Sequence, residues 1–263
     1  MCVLAHPDDE SLGTGGALAK YAAEGVATYL LTATRGERGR FPDGNGSAGP
    51  DVVGRAREAE LMAAAAVLSL REVRFLDYPD GAVDTVDAAR AVEKIAGHLR
   101  RVKPQVVVTF GPEGAYGHPD HIAIGQLTTA AIVSAAAPSS GGPPGTEEPH
   151  RVAKLYYIAW SAGKWSAYQA ALRKLVFNVD GEERQAVPWP DWAITTVIDT
   201  SRVWPTVWRA VSCHTSQMAM YSKLASLSDE HQRSLWGTQE FYRAFSSVNG
   251  GRLRESDLFE GLR

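Results

Sequence analysis

Residues 105–110 read QVVVTF, a run of β-branched and aromatic side chains with no polar face. A strand that is apolar on both sides has to be covered on both, which is the situation of a parallel strand between two helical layers. The rest of the first half repeats this theme. Strands are predicted at 2–5, 26–34 and 73–76, and Ala-rich helices at 13–24, 55–69, 86–101 and 121–136. Gly25 follows the first of these helices and Pro104 the third, as expected of residues that end a helix. This β-α-β-α order predicts an α/β, Rossmann-like fold. Its sheet is mainly parallel, helices flank both faces, and irregular loops form the rim of the active site.

The pattern weakens after a Pro/Gly/Ser-rich stretch at 138–149, which bounds the regular half, residues 1–137. Strands are predicted at 154–160 and 193–198, and helices at 202–214 and 239–246. Too few residues remain for a core of their own, so 150–263 is expected to complete the same fold, giving one domain over 1–263. The segment 2–5 is short for a central strand, which points to a start somewhat upstream of Met1. A Gly- and Pro-rich segment at 35–51 is too long for a plain connection and is expected to border the site.

Charge and cysteine usage exclude several classes. With 27 Lys+Arg against 30 Asp+Glu and no basic block, nothing favours nucleic acid as a partner. No apolar run approaches the roughly 20 residues that span a bilayer, and no signal peptide is visible. Cys2 and Cys213 are the only cysteines, so a cytoplasmic location is expected. The sequence is compatible with a homo-oligomer and leaves the oligomeric state open.

The chemistry-bearing residues fall in two clusters, each just after a predicted strand and at the head of a helix. Ligands bind at that place in an open α/β sheet. The first cluster is Ala5-His6-Pro7-Asp8-Asp9-Glu10. Three adjacent acids repel one another unless a cation, a proton or a helix N-terminus compensates. Capping explains one acid, not three beside a histidine. The second cluster is Tyr116-Gly117-His118-Pro119-Asp120-His121. Its histidines are spaced so that one can be a ligand and the other an acid or base, and Asp120 can orient an imidazole. Imidazole and carboxylate ligands with an open position suit catalytic Zn²⁺, and Fe²⁺ accepts the same donors.

These two motifs, AHPDDE at 5–10 and HPDH at 118–121, resemble those of the PIG-L/LmbE family of metal-dependent de-N-acetylases. TRGERG at 34–39, REAEL at 57–61 and HTSQ at 214–217 extend the resemblance along nearly the whole chain. The resemblance implies His6, Asp9 and His121 as metal ligands and Asp8 as general base. It implies His118 as acid or oxyanion stabiliser with Asp120 tuning it, and Tyr116 as a second group polarising the amide carbonyl. Arg57 and Asp80 correspond to sugar or conjugate contacts, and Glu37 is expected to border the pocket. The implied reaction is hydrolysis of an acetamide on an N-acetylglucosaminyl-type sugar or glycoconjugate, releasing acetate and a free amine. The implied partner is thus a small molecule. An amidase cleaving a larger amide, such as a thiol conjugate, would use the same parts. A non-catalytic metal- or sugar-binding protein is the remaining alternative, and the presence of both Asp8 and His118 argues against it.

All seven tryptophans lie at position 160 or later. They suit either a sugar-binding wall or local packing, with Trp165 and Trp189 the more exposed by their neighbourhood. For His214 a place near the substrate and a capping role are equally open.

Overall fold

The computed structural model describes residues 1–39, 48–138, 148–172, 176–179, 181–185, 187–219, 221–251 and 253–263. The strands β1 (Cys2–Leu4), β2 (Tyr29–Thr32), β3 (Glu72–Phe75), β4 (Val106–Phe110) and β5 (Lys154–Ile158) are parallel and stand in the order β3-β2-β1-β4-β5. The helices between them are α1 (Asp9–Ala23), α2 (Pro50–Val67), α3 (Ala88–Val102) and α4 (Pro119–Ala135). The chain moves outward from β1 to β3, then returns to the other side of β1 to form β4. With right-handed crossovers that reversal puts α1 and α2 on one face and α3 and α4 on the other. All five residues of β4 are buried, as a strand covered on both sides requires.

The last third holds α5 (Ala162–Leu172), a hairpin of β6 (Val176–Val179) and β7 (Glu182–Gln185), β8 (Thr196–Asp199), α6 (Trp204–Cys213), the short α7 (Ser222–Ala225), α8 (Asp229–Trp236) and β9 (Thr238–Ser246). β9 pairs antiparallel with β5 on one side and β8 on the other, extending the sheet. α3 packs on α4, and α6 packs on both α1 and α2. The main core joins Val3, Leu4 and Val107 of the sheet to Leu61, Ile95, Leu99 and Ile124 of the helices, all fully buried. Each such side chain contributes about 1.5–3 kcal/mol on burial. Among the described residues no helix is long and apolar enough to cross a membrane.

One predicted element has the wrong type. Residues 239–246 were expected to be helical and form β9 instead. Gln239 and Phe241 point into the protein at strand spacing, and both neighbours satisfy the strand's backbone groups. Tertiary pairing therefore overrides a weak local preference. Three helices also begin earlier than expected, among them α2, which starts at Pro50 with proline in the first turn. α1 starts at Asp9, inside the acidic motif, because Asp9 and Glu10 suit the positive end of a helix. α4 starts at Pro119, whose fixed φ suits the first helical position, with His118 as its cap. Within 35–51 and 138–149, residues 40–47 and 139–147 lie outside the described residues.

Trp165, expected to be exposed, is 7% exposed. It packs with Tyr168, Trp204, Leu235 and Trp236 in a second apolar cluster that Tyr116 and Tyr221 border. Trp189 is half-buried and its indole N–H donates to Glu113 Oε1 at 2.9 Å. The exposed tryptophan is Trp192.

Candidate active site

The strand order reverses between β1 and β4, and both motifs sit at the carboxyl ends of those two strands. His6, Asp8 and Asp9 follow β1 directly, and His118, Asp120 and His121 stand at the head of α4. Close helix–sheet packing brings the two together. Gly125 allows it, because a Cβ there would lie 2.6 Å from the Phe110 carbonyl oxygen. His121 consequently stacks flat on Phe110, with ring centroids 3.9 Å apart.

Three donor groups converge. His6 Nδ1 lies 3.2 Å from His121 Nε2. Asp9 Oδ2 lies 3.7 Å from His6 Nδ1, and Asp9 Oδ1 3.5 Å from His121 Nε2. Four-coordinate zinc, with bonds of about 2.0–2.1 Å, separates its ligands by about 3.3–3.4 Å, so these donors already sit at the edges of such a site. The tautomers agree. His121 Nδ1 faces the Gly114 carbonyl at 3.2 Å and so carries its hydrogen, leaving a lone pair on Nε2. His6 Nε2 lies 3.1 Å from both Asp80 Oδ1 and Asp120 Oδ2, which leaves the lone pair on Nδ1. In that tautomer two lone pairs and a carboxylate are aimed at one point, a donor set that suits a bound cation.

The electrostatics of the protein groups by themselves favour a protonated His6 among these carboxylates. Burial pushes the His6 imidazole down, but Asp120, Asp80 and Asp9 outweigh it and hold it up at about 10. Burial raises the Asp9 carboxyl to about 7 against the pull of His6, with Asp8 adding to the rise. Burial, His6 and His118 together keep His121 well below the usual histidine range.

Asp8 stands beside this point in an unusual backbone conformation, φ 107°. For a residue other than glycine this costs on the order of 1–3 kcal/mol, strain of a kind concentrated at functional sites. Asp8 Oδ2 accepts from Arg57 Nη2 at 3.0 Å and from the Tyr221 hydroxyl at 2.7 Å. Among the described residues its Oδ1 has no protein donor. Tyr116 approaches His121 edge-on at 5.1 Å between centroids. Burial and the charge of Asp9 push its phenol well above the usual range, so it stays protonated and able to donate. His118 stacks on His121 at 4.8 Å, and its Nδ1 accepts the Asp120 backbone N–H at 3.1 Å.

Four of the expected site residues are engaged by protein groups. Asp120 does not bond the His118 ring through its carboxylate. That group bonds His6 and also accepts the N–H groups of Gly81 and Val83. The Asp80 oxygens lie on His6 and on the Arg38 N–H. Glu37 accepts the Asp80 N–H at 2.9 Å. Arg57 is 4% exposed and donates to Gly36 O, Pro7 O and Asp8. The physical reason is common to all four: a buried imidazole, a buried carboxylate and a tight turn all need partners, and these short polar groups are within reach. Gly36 belongs to this arrangement, because φ 66° suits glycine and a Cβ there would collide with the Arg57 guanidinium. Tyr221 was missed altogether. No motif marks it, and 213 positions separate it from Asp8.

A twisted α/β sheet with imidazole and carboxylate donors gathered at its switch point is the build of a metal-dependent enzyme. Comparison with known proteins narrows the class. The family model for GlcNAc-PI de-N-acetylase (PIG-L) matches residues 1–132. A Kineococcus radiotolerans protein named 1D-myo-inositol 2-acetamido-2-deoxy-alpha-D-glucopyranoside deacetylase is 36% identical, the match covering 99% of this chain and 82% of that one. Among solved structures, N,N'-diacetylchitobiose deacetylase from Pyrococcus horikoshii superposes with a TM-score of 0.67 at 17% identity, covering 92% of this chain and 83% of its own. GalB, a 4-carboxy-2-hydroxymuconate hydratase from Pseudomonas putida KT2440, superposes with a TM-score of 0.68 at 22% identity, covering 95% and 98%. A deacetylase and a hydratase thus share the architecture, so the fold alone does not decide the chemistry. The chain belongs to the PIG-L family, and with the family goes the class of hydrolytic N-deacetylases.

Proposed function

We propose that this protein is a zinc-dependent hydrolase that removes the acetyl group from the 2-acetamido nitrogen of an N-acetylglucosaminyl conjugate. The first candidate substrate is the inositol glucosaminide for which the Kineococcus relative is named. The observation that carries this reading is the convergence of His6 Nδ1, His121 Nε2 and the Asp9 carboxylate beside Asp8. These three residues would hold the ion. The two-nitrogen, one-oxygen set with an open position favours zinc, although Fe²⁺ uses the same donors. Such an ion, when bound, makes water nucleophilic at neutral pH and polarises a carbonyl.

The chain's own residues do the rest. Asp8 has one oxygen held by Arg57 and Tyr221, and the other is open to take the proton of the attacking water. Tyr116, protonated, donates to the oxygen that becomes negative as the carbonyl turns tetrahedral. With Nδ1 engaged by the Asp120 N–H, the neutral His118 ring carries its hydrogen on Nε2 and donates it to the tetrahedral oxyanion, while the proton taken by Asp8 passes to the departing amine. Asp80 and Asp120 hold the His6 ring and its tautomer from behind. Acetate and the free amino sugar leave. Two free cysteines suit a reducing compartment, and we assign the enzyme to the cytoplasm.

The test is acetate release from 1D-myo-inositol 2-acetamido-2-deoxy-α-D-glucopyranoside by zinc-loaded protein. Turnover is expected, to be abolished by chelator and absent in His121→Ala along with bound zinc. Zinc-loaded protein that releases no acetate from this or any N-acetylglucosaminyl conjugate overturns the reading.

A further inference from the structure

The third acid of the first motif has no part in the chemistry above, and neither does the late HTSQ segment. The structure joins them. Glu10 and His214 are fully buried, and His214 Nε2 lies 2.9 Å from Glu10 Oε1, which also accepts from the Ser11 hydroxyl. The other oxygen, Glu10 Oε2, accepts the backbone N–H of Asp8 at 2.9 Å. That N–H belongs to the one peptide of the motif whose residue is left-handed.

His214 is itself held from outside. The turn Thr215–Gln217 that follows it is gripped by Glu60 of α2, which accepts from Thr215 Oγ1 at 2.7 Å, Ser216 N at 2.7 Å and Ser216 Oγ at 2.8 Å. Arg57, one turn earlier on α2, grips the Asp8 carboxylate. One helix therefore anchors both ends of the arrangement, Asp8 directly and His214 through the turn.

We propose that Glu10, braced by His214, is a positioning residue that clamps the Asp8 peptide N–H and so keeps the Asp8 carboxylate turned away from Asp9. This rests on the reading of Asp8 as general base. The physical argument is geometric. A left-handed Asp8 lies above its relaxed conformation, and in that conformation its N–H meets the buried Glu10 oxygen at 2.9 Å. Without the clamp the peptide relaxes and the carboxylate swings from its place beside the donor triad. A shift of about 1 Å in a reacting group costs on the order of a hundredfold in rate.

The experiment uses the full chain loaded with zinc, as wild type, Glu10→Ala and Glu10→Gln, each also in an Asp8→Asn background. The readouts are zinc stoichiometry, kcat and KM for acetate release from the inositol glucosaminide, and exchange of the Asp8 backbone amide hydrogen followed by NMR. Glu10→Ala is expected to lower kcat by about 10- to 100-fold with KM and zinc content nearly unchanged. Glu10→Gln keeps an oxygen for the Asp8 N–H and should recover most of that loss. In Asp8→Asn, which already lacks the base, Glu10→Ala should cost less than about twofold more. The Asp8 amide should exchange at least about tenfold faster in Glu10→Ala, with or without zinc.

Unchanged kcat, zinc lost together with activity, or losses that multiply in the double variant would each overturn the proposal. Should Glu10→Ala fail to fold, His214→Ala carries the test. A kcat about tenfold lower and a faster Asp8 amide support the clamp, and wild-type values overturn it. An inactive wild type with a Glu10-protected Asp8 amide supports the clamp while refuting the substrate reading. A freely exchanging Asp8 amide in wild type refutes the clamp whatever the activity.

Discussion

Replacing Asp120 by asparagine should weaken zinc binding without touching a ligand. Asp120 Oδ2 faces His6 Nε2 at 3.1 Å and accepts the Gly81 N–H at 2.7 Å, while Oδ1 accepts the Val83 N–H at 3.0 Å. Every partner is a donor. An amide offers one oxygen and one NH₂, so in either orientation a donor is left facing a donor, and the negative charge behind His6 is gone. Loss of such a supporting carboxylate typically costs about 10–100-fold in metal affinity. That is about 1.4–2.7 kcal/mol. Asp80 sits on the same nitrogen at the same 3.1 Å, so one carboxylate remains and the lower half of that range is expected. Asp80→Asn combined with Asp120→Asn should lose more than either alone. The assay is competition for Zn²⁺ against a chromophoric chelator at neutral pH. A dissociation constant within about twofold of wild type in the double variant would show that these carboxylates do not set the basicity of His6.

Three further outcomes are expected. Tyr221→Phe removes one of two donors on Asp8 Oδ2 and should lower kcat about tenfold at unchanged zinc content, the magnitude of a hydrogen bond to a charged group; equal kcat would show that the hydroxyl does not restrain the base. His118→Ala should keep its zinc and lose about 10²–10⁴ in kcat, measured by acetate release, and loss of the metal instead would make His118 a ligand. The third concerns acid stability. Burial would raise the Glu255 carboxyl, but Lys154, Asn249, Tyr156 and Thr196 outweigh it and hold it at about 2. Its folded value lies below the unfolded one, so its contribution is complete above the ordinary glutamate range and fades as pH falls toward 2. The urea midpoint should therefore drop through that window, and should drop less in Glu255→Gln; identical pH profiles for the two proteins would remove Glu255 from the account.

Much of the architecture could be read before any coordinates. The apolar run of β4 required cover on both faces, and the alternation of strands and Ala-rich helices required a parallel sheet. Those signals are local: they depend on residues within one or two turns of each other. The donor types were equally plain, since imidazoles and acids crowded after two strands need a cation. β9 was the failure. Residues 239–246 carry no decisive period of their own, and they are a strand because β5 and β8 lie on either side with backbone groups to pair. Trp165 failed for a related reason, since it is buried by Trp204 and Trp236, contributed by later helices.

At the site the division is sharper. The chain's order of residues determined which groups would gather at the ends of β1 and β4, because a strand-to-helix turn must present whatever follows the strand. Only the tertiary structure decided how each group is used. The Asp120 carboxylate serves His6, 114 positions away, while only its backbone N–H reaches His118; Tyr221 and Arg57 share one oxygen of Asp8; Glu10 turns back on the Asp8 peptide. A hydrogen bond is short and directional, so the partners of a buried polar group are chosen by what packing leaves within about 3 Å, and no pattern in the linear order of residues carries that information.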